Sequence, residues 1–187
     1  MLNNLSAPTI QTNRLFIRIV DLSDSNDYFE FCSNPNVCRY LTFNPYVSLR
    51  QSKNAINNMI RAYLQGTDVN FSIINTSFSR VIGSISLTFS KDNSATIGYI
   101  LNENYWNKGY MSEAISAICK VAFSYYKVDC LYAKYIKDNI ASEKVLNNNG
   151  FTICDVINNG FVKNGRLYDL VVCKKNNEYI IRYSTDK

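Results

Sequence analysis

The stretch Tyr99-Ile100-Leu101-Asn102-Glu103-Asn104-Tyr105-Trp106-Asn107-Lys108-Gly109-Tyr110-Met111-Ser112-Glu113-Ala114 constrains this chain most. In it an apolar strand passes through a short polar loop with one glycine into a strongly periodic helix. Met111, Ala114, Ile115, Ile118, Ala122 and Tyr125 recur at three- and four-residue spacing, a stripe that must lie on a sheet. The start of such a helix is a ready anion site, because its first N–H groups have no partner inside the helix and the peptide dipoles place partial positive charge there. Gly109 lets the backbone close on a phosphate and Lys108 adds charge beside it, while Glu113 suits the dipole but competes with a bound anion. The same pattern also reads as an ordinary strand-to-helix connection, with the glycine serving only the turn.

Composition narrows the chemistry such a junction can serve. A length of 187 residues, with 47% hydrophobic and 19% charged content, fits a single folded domain over residues 1–187 that mixes helix and sheet. The opening Met-Leu-Asn-Asn-Leu-Ser-Ala-Pro has no basic region followed by an apolar run, and no apolar segment approaches the length of a membrane span. A cytoplasmic protein without a membrane partner is therefore expected. The net charge of +5 is scattered without a Lys/Arg block, which suits an anionic cofactor as much as nucleic acid. Histidine is absent, so proton transfer must use carboxylates, hydroxyls, cysteine, lysine or water. Cys32, Cys38, Cys119, Cys130, Cys154 and Cys173 form no Cys-x-x-Cys pair, so buried free thiols and no metal are expected.

The chain reads as one alternating series. Residues 14–20 form a first strand closed by Asp21-Leu22-Ser23-Asp24. A helix follows with Tyr28, Phe29 and Cys32 on its buried side, and it ends near Asn34-Pro35 because the residue before proline leaves helical geometry. Ala55, Ile56, Met59, Ile60, Tyr63 and Leu64 predict a helix from about Ser48 to Gln65, stopped by Gly66. Residues 71–74, 81–89 and 95–101 make an antiparallel meander, with Gly98 marking a bulge or a close backbone approach. A splayed strand end there would leave N–H and C=O groups for a ligand with its own amides.

After the central helix, residues 131–136 form a strand that the crossover places parallel to 95–101. Asp138-Asn139 caps a helix over 140–148, stopped by Asn149-Gly150. Two last strands, 151–156 and 167–173, are joined through Asn158-Asn159-Gly160 and Lys163-Asn164-Gly165, the latter ending in a hairpin-turn dipeptide.

Trp106-Asn107-Lys108-Gly109-Tyr110-Met111-Ser112-Glu113-Ala114 resembles the acetyl-CoA pyrophosphate loop of the GCN5-related N-acetyltransferases (GNAT), in the branch that acetylates ribosomal-protein N-termini, spermidine and some antibiotics. The family loop reads Arg/Gln-x-x-Gly-x-Gly/Ala. Gly109 matches its key glycine, Trp106 stands at the Arg/Gln position, Asn107 replaces a frequent glycine, and Met111 sits where glycine or alanine is usual. Asn139-x-x-Ser142-x-x-Val145-Leu146-x-x-x-Gly150-Phe151 resembles the second signature of the family. Arg14-Leu15 with Arg18 resembles the branch's opening strand, and Phe161-Val162-Lys163-Asn164-Gly165-x-x-Tyr168-Asp169 its closing hairpin.

The resemblance implies a GNAT-like α/β (α+β) fold with a mixed, mostly antiparallel sheet of six to seven strands and about four helices. It implies acetyl-CoA as cosubstrate, bound by Trp106, Asn107, Lys108, Gly109, Tyr110, Met111 and Ser112, by the backbone of Tyr99, Ile100 and Leu101, and by Asn139. Many relatives protonate the departing thiolate with a tyrosine where Leu146 stands here. This branch often carries a serine at the position of Ser142, which is either that acid or a serine bonding backbone in its own helix. Thr96 stands where a glutamate often precedes Ile-Gly-Tyr, which leaves the general base unassigned, and Tyr40, Phe43 and Tyr46 either line the acceptor site or pack a loop. The expected reaction is direct attack of a primary amine (protein N-terminus, polyamine or other small amine) on the thioester, by a monomer or homodimer. A catalytically weak acyl-CoA sensor of the same fold is the alternative.

Overall fold

Strand and helix limits follow local chemistry closely. The computed structural model describes residues 7–178, in which eight strands and five α-helices occur. β1 (Ile10–Gln11) and β2 (Leu15–Ile19) lead into α1 (Ser25–Cys32), the short α2 (Pro35–Cys38) and α3 (Leu49–Leu64). A meander follows, β3 (Asp68–Asn75), β4 (Arg80–Phe89) and β5 (Ser94–Leu101), and then α4 (Tyr110–Ser124) crosses to β6 (Cys130–Ile136). The described chain closes with α5 (Ile140–Asn148) and the hairpin of β7 (Thr152–Lys163) and β8 (Arg166–Asn176).

All strands join one sheet in the order β1-β2-β3-β4-β5-β6-β8-β7, and only β5 beside β6 is a parallel pair. The mixed, mostly antiparallel sheet expected from the sequence is present, widened by β1, and α2 joins the four expected helices. Asn34 separates α1 from α2, accepting a hydrogen bond from the Asn36 N–H at 2.8 Å with Pro35 at the first helical position. Before α3, the Gln51 side chain accepts from the N–H groups of Val47 and Ser48 at 2.6 and 3.3 Å. Apolar layers cover both sheet faces. Ile17, Phe71, Ile85 and Ile97 pack with Met111, Ile115 and Ile118 of α4 and Leu146 of α5, and on the other face Val20 and Val81 pack with Tyr28, Phe31 and Ile56. Each large apolar side chain so covered contributes about 1.5–3 kcal/mol.

Several local expectations are corrected. Phe31, not Phe29, is buried beside Tyr28, because three-residue spacing keeps both rings on the face turned to the sheet. Leu64 is 77% exposed, since it is the last residue of α3 and Tyr63 takes the contact with the core. Tyr125 is largely exposed and Tyr126 buried instead, because the chain leaves the helix at Ser124 and the stripe loses its period there. Gly98 forms no bulge: it pairs with Ser86 in unbroken register, and a Cβ there would approach Ser86 Oγ to 3.0 Å, so close approach is its reason.

Asn158-Asn159-Gly160 is no turn but a register irregularity inside β7, where the Asn159 N–H donates to Asp169 Oδ1. The chain reverses only at Asn164 and Gly165, both with positive φ. Cys154 is exposed on the edge strand, while the other five cysteines are buried. Among the described residues no helix is long and apolar enough to cross a membrane, and no group of three or more Cys, Asp or Glu gathers to hold a metal ion.

Candidate active site

The parallel pairing of β5 with β6 is short. It runs from Ser94 opposite Cys130 to Ile97 opposite Ala133, yet β5 continues to Leu101 along β4 and β6 continues to Ile136 along β8. The two strands therefore form a fork. Strand residues turn their N–H and C=O groups alternately to either side, and the Asn102 N–H donates to the Ile82 carbonyl of β4. By alternation the Ile100 backbone also faces β4, whereas the backbone groups of Tyr99 and Leu101 face the fork. The Leu101 carbonyl is already taken, accepting from Trp106 Nε1 at 2.9 Å.

Across the fork, the Tyr99 hydroxyl meets Ser142 Oγ at 2.5 Å. Ser142 is buried at the start of α5, and its N–H donates to Asn139 Oδ1 at 3.2 Å, so Asn139 caps the helix as expected. Burial pushes the Tyr99 phenol up to about 12 against the opposing hydrogen bond with Ser142, further from the neutral range in which a phenol is protonated in any case. Leu146 is fully buried in the core and takes no part in the fork.

The loop between β5 and α4 leads to the helix end. Gly109 sits at the cap position with φ 77°, and no side chain accepts from the first turn. The first helical bond is that of the Glu113 N–H to the Gly109 carbonyl, so the amides of Tyr110, Met111 and Ser112 precede any helical acceptor. The side chains in the loop are turned mostly onto the protein itself. Lys108 Nζ donates to the Asn104 carbonyl at 2.9 Å, Met111 is buried, and Ser112 Oγ accepts from Asn149 Nδ2 at 3.1 Å. Asn107, with φ 56°, makes the turn before Gly109.

Sequence reasoning missed Arg14 as part of this site. Its Nε pairs with Glu113 at 2.7 Å, its Nη1 donates to the Lys108 carbonyl at 2.8 Å, and its guanidinium lies 4.4 Å from the centre of the Tyr110 ring. A Cβ on Gly109 would come within 3.4 Å of Arg14 Nη2. Arg14 and Thr12 hold the Glu113 carboxylate away from the helix amides and balance its charge. Ninety-nine residues separate Arg14 from Glu113, and no local pattern announces such a pair.

Glu103 accepts from Asn34 and Asn36 at 2.6 and 2.9 Å, fastening α2 to the loop. Thr96 lies opposite Thr88 and beside Tyr132 in the sheet. A hollow of about 620 Å³ runs between the second half of α4 and Gly150, away from the fork, and the Lys175 ammonium on its wall is spent on the Asn149 carbonyl.

Comparison with known proteins addresses the family and the fold. The model of the acetyltransferase (GNAT) domain family matches residues 14–152. The uncharacterized N-acetyltransferase p20 of Bacillus licheniformis is 29% identical over 164 residues, 87% of this chain and 92% of that protein. A GNAT-family acetyltransferase from Bacillus anthracis superposes with a TM-score of 0.83 at 23% identity, covering 91% of this chain and 99% of its own. RimL, a ribosomal L7/L12 α-N-protein acetyltransferase solved with coenzyme A, superposes with a TM-score of 0.83 at 21% identity, covering 90% and 98%.

Proposed function

The chain belongs to the GNAT acetyltransferase family, and from that premise we propose that the fork between β5 and β6 is where acetyl-CoA gives its acetyl group to a primary amine. The observation that carries the reading is the early end of β5–β6 pairing beside the Tyr99–Ser142 contact. Acetyl-CoA supplies an activated thioester, and the residues of this chain bind it, orient it and move protons. The amides of Tyr110, Met111 and Ser112 and the left-handed Gly109 suit a diphosphate, and Arg14 offsets the carboxylate that would repel it. The N–H groups of Tyr99 and Leu101 suit the amides of an extended pantetheine arm and polarise a carbonyl placed between the strands.

Ile100 contributes its side chain to the α1–α3 face rather than its backbone to the arm. Trp106 acts by holding the strand end, and Lys108, Asn107 and Met111 shape the loop. Ser142 donates its proton to the departing thiolate and takes one back from the Tyr99 hydroxyl bonded to it, which solvent reprotonates with the proton that the attacking nitrogen gives up. The attacking nitrogen loses its proton to water in the fork. Asn139 fixes the start of α5. We place the protein in the cytoplasm, as a single domain acting as monomer or homodimer, without metal or nucleic acid.

Because a RimL structure superposes so fully, peptide N-termini are the first acceptors to try, followed by polyamines. Incubation with acetyl-CoA and such a panel should release free thiol, and Ser142→Ala should slow release at unchanged acetyl-CoA affinity. Thermal stabilisation by CoA with no thiol release from any acceptor would replace transfer by the sensor reading.

A further inference from the structure

The β7–β8 hairpin outruns its neighbour in the sheet. β6 ends at Ile136 opposite Leu170, but the hairpin continues to Lys163 and Arg166 as an arm. From its tip Lys163 Nζ donates to three carbonyl oxygens, those of Cys38 at 2.6 Å, Leu41 at 2.6 Å and Phe43 at 2.8 Å. An ammonium has three N–H donors, and this arrangement uses all of them in charge-assisted bonds. Two of the carbonyls come from residues 39–47, a segment that is neither helix nor strand; between Leu41 and Tyr46 its backbone is tied elsewhere through Leu41 N–H to Cys38 and Tyr46 N–H to Cys32, and its two ends are held through Arg39 N–H to Asn36 and Val47 N–H to Gln51. Cys38 closes α2, and its carbonyl accepts from both the Leu41 N–H and the Lys163 ammonium, so the cation adds to the finish of that helix.

This contact joins the two sides of the fork. On the β5 side, Phe43 and Tyr46, with ring centres 5.1 Å apart, pack in the same layer as Ile100. On the β6 side, the arm is fastened just before Asn139: the Lys137 N–H donates to the Asp169 carbonyl at 3.0 Å, and Arg166 pairs with Asp138 at 3.3 Å. From β5 through the 39–47 loop, Lys163, the arm and Asp138 to α5, the links close a ring around the open ends of the fork.

We propose that Lys163 latches an arch over the mouth of the fork and thereby positions the 39–47 loop as the wall against which the acceptor amine is held. The proposal rests on the acetyl-transfer reading of the fork. Lys163 is a positioning residue, since its ammonium is spent on backbone and reaches neither thioester nor amine. The cosubstrate side is built separately, from Gly109, Arg14 and the start of α4, which share no hydrogen bond with Lys163. Loss of the latch should therefore change acceptor use and leave acetyl-CoA binding alone.

Lys163→Met keeps the stem and removes the donors, and Lys163→Arg keeps charge and donors on a planar head. A loop freed from the latch is in place only part of the time, and apparent affinity falls with that fraction. The Met variant should raise KM about tenfold for spermidine and for the tripeptide Ala-Ala-Ala, with the calorimetric Kd of acetyl-CoA held within about twofold. Amide exchange should quicken in 39–47 and not in α4, and Lys163→Arg should recover part of both effects. Unchanged acceptor KM together with unchanged exchange in the Met variant would overturn the proposal. So would a parallel loss of acetyl-CoA affinity and Tm in both variants, which would make Lys163 a general stabiliser. Should the wild-type chain acetylate neither probe, the transfer reading fails separately, and equal exchange in wild-type and Met chains still disposes of the latch.

Discussion

The amino ends of α4 and α5 lie on opposite sides of one fork and are finished in opposite ways. At α5 the chain supplies its own cap, with Asn139 Oδ1 accepting from the Ser142 N–H. At α4 the cap position is a glycine in left-handed conformation, and no side chain caps the amides of the first turn. Both helices carry a glutamate in that turn, Glu143 and Glu113, so acidity does not distinguish them. The distinction is where the acceptors go: Glu113 is drawn off to Thr12 and Arg14, leaving the α4 amides for something outside the chain. An internally satisfied helix end is architecture, whereas one kept open beside a neutralised acid is prepared for an anion.

The largest effect should come from closing the open end. Gly109→Val places a branched side chain at φ 77°, a conformation that costs roughly 1–2 kcal/mol, and its Cβ would meet Arg14 Nη2. Calorimetry should show CoA affinity reduced about a hundredfold, or about 2.7 kcal/mol. Gly150 has nearly the same conformation, φ 74°, at the other end of α5, and a Cβ there meets only the flexible tip of Lys175. Gly150→Ala should lower Tm while sparing CoA affinity. Equal loss of affinity in the two variants would break the distinction between the helix ends.

Next in size is the hydroxyl pair within the fork. Tyr99→Phe and Ser142→Ala should each lower kcat about tenfold or more without moving the Kd of acetyl-CoA. Because the two groups touch, the double variant should lose less than the product of the single losses. Additive losses would mean that each hydroxyl acts alone.

The contrast also explains what the sequence could disclose. Caps are local, so α3 and α5 were legible to within a residue from Ser48, Gln65, Asn139 and Asn149, and the meander was legible from alternation. The open end of α4 was legible too, since Gly109 sits in a recognisable loop. What escaped depends on distance along the chain. Tyr99 meets Ser142 across 43 residues and Lys163 meets Cys38 across 125, and neither partner carries a mark of the other. The role of Asn158-Asn159-Gly160 was misread for a related reason, because turn residues also serve a bulge when a partner strand continues past them.

A smaller effect tests the capped end. Asn139→Ala should cost about 1 kcal/mol in thermal or urea unfolding, and Asn139→Asp should restore it, because a carboxylate caps as well as an amide oxygen. If Asn139 is only a cap, both variants bind acetyl-CoA as the wild type does. An affinity loss in both, with stability regained in Asp, would show that its amide nitrogen reaches the cosubstrate and that α5 also serves binding.

The smallest expected effect belongs to Glu113, which decides whether the open end is truly neutralised. Burial pushes its carboxyl up, but hydrogen bonds from Thr12 and Arg14 and the Arg14 charge outweigh burial and leave it below its ordinary value of 4.5. A carboxyl with a lower pKa in the folded than in the unfolded chain stabilises fully above that ordinary value, and the contribution disappears as pH falls through the folded value. With Arg14 half-exposed and water screening the pair, the contribution is about 0.5 kcal/mol. Glu113→Gln should therefore lower Tm slightly at pH 7, and the difference from wild type should vanish under acid titration below 4.5. The same variant leaves the Arg14 charge uncompensated beside Gly109, so CoA affinity should rise about twofold at low salt and converge with wild type as salt screens it. A fall in affinity instead would mean that Glu113 is needed to hold Arg14 in place, and that the open end depends on the pair more than on the missing cap.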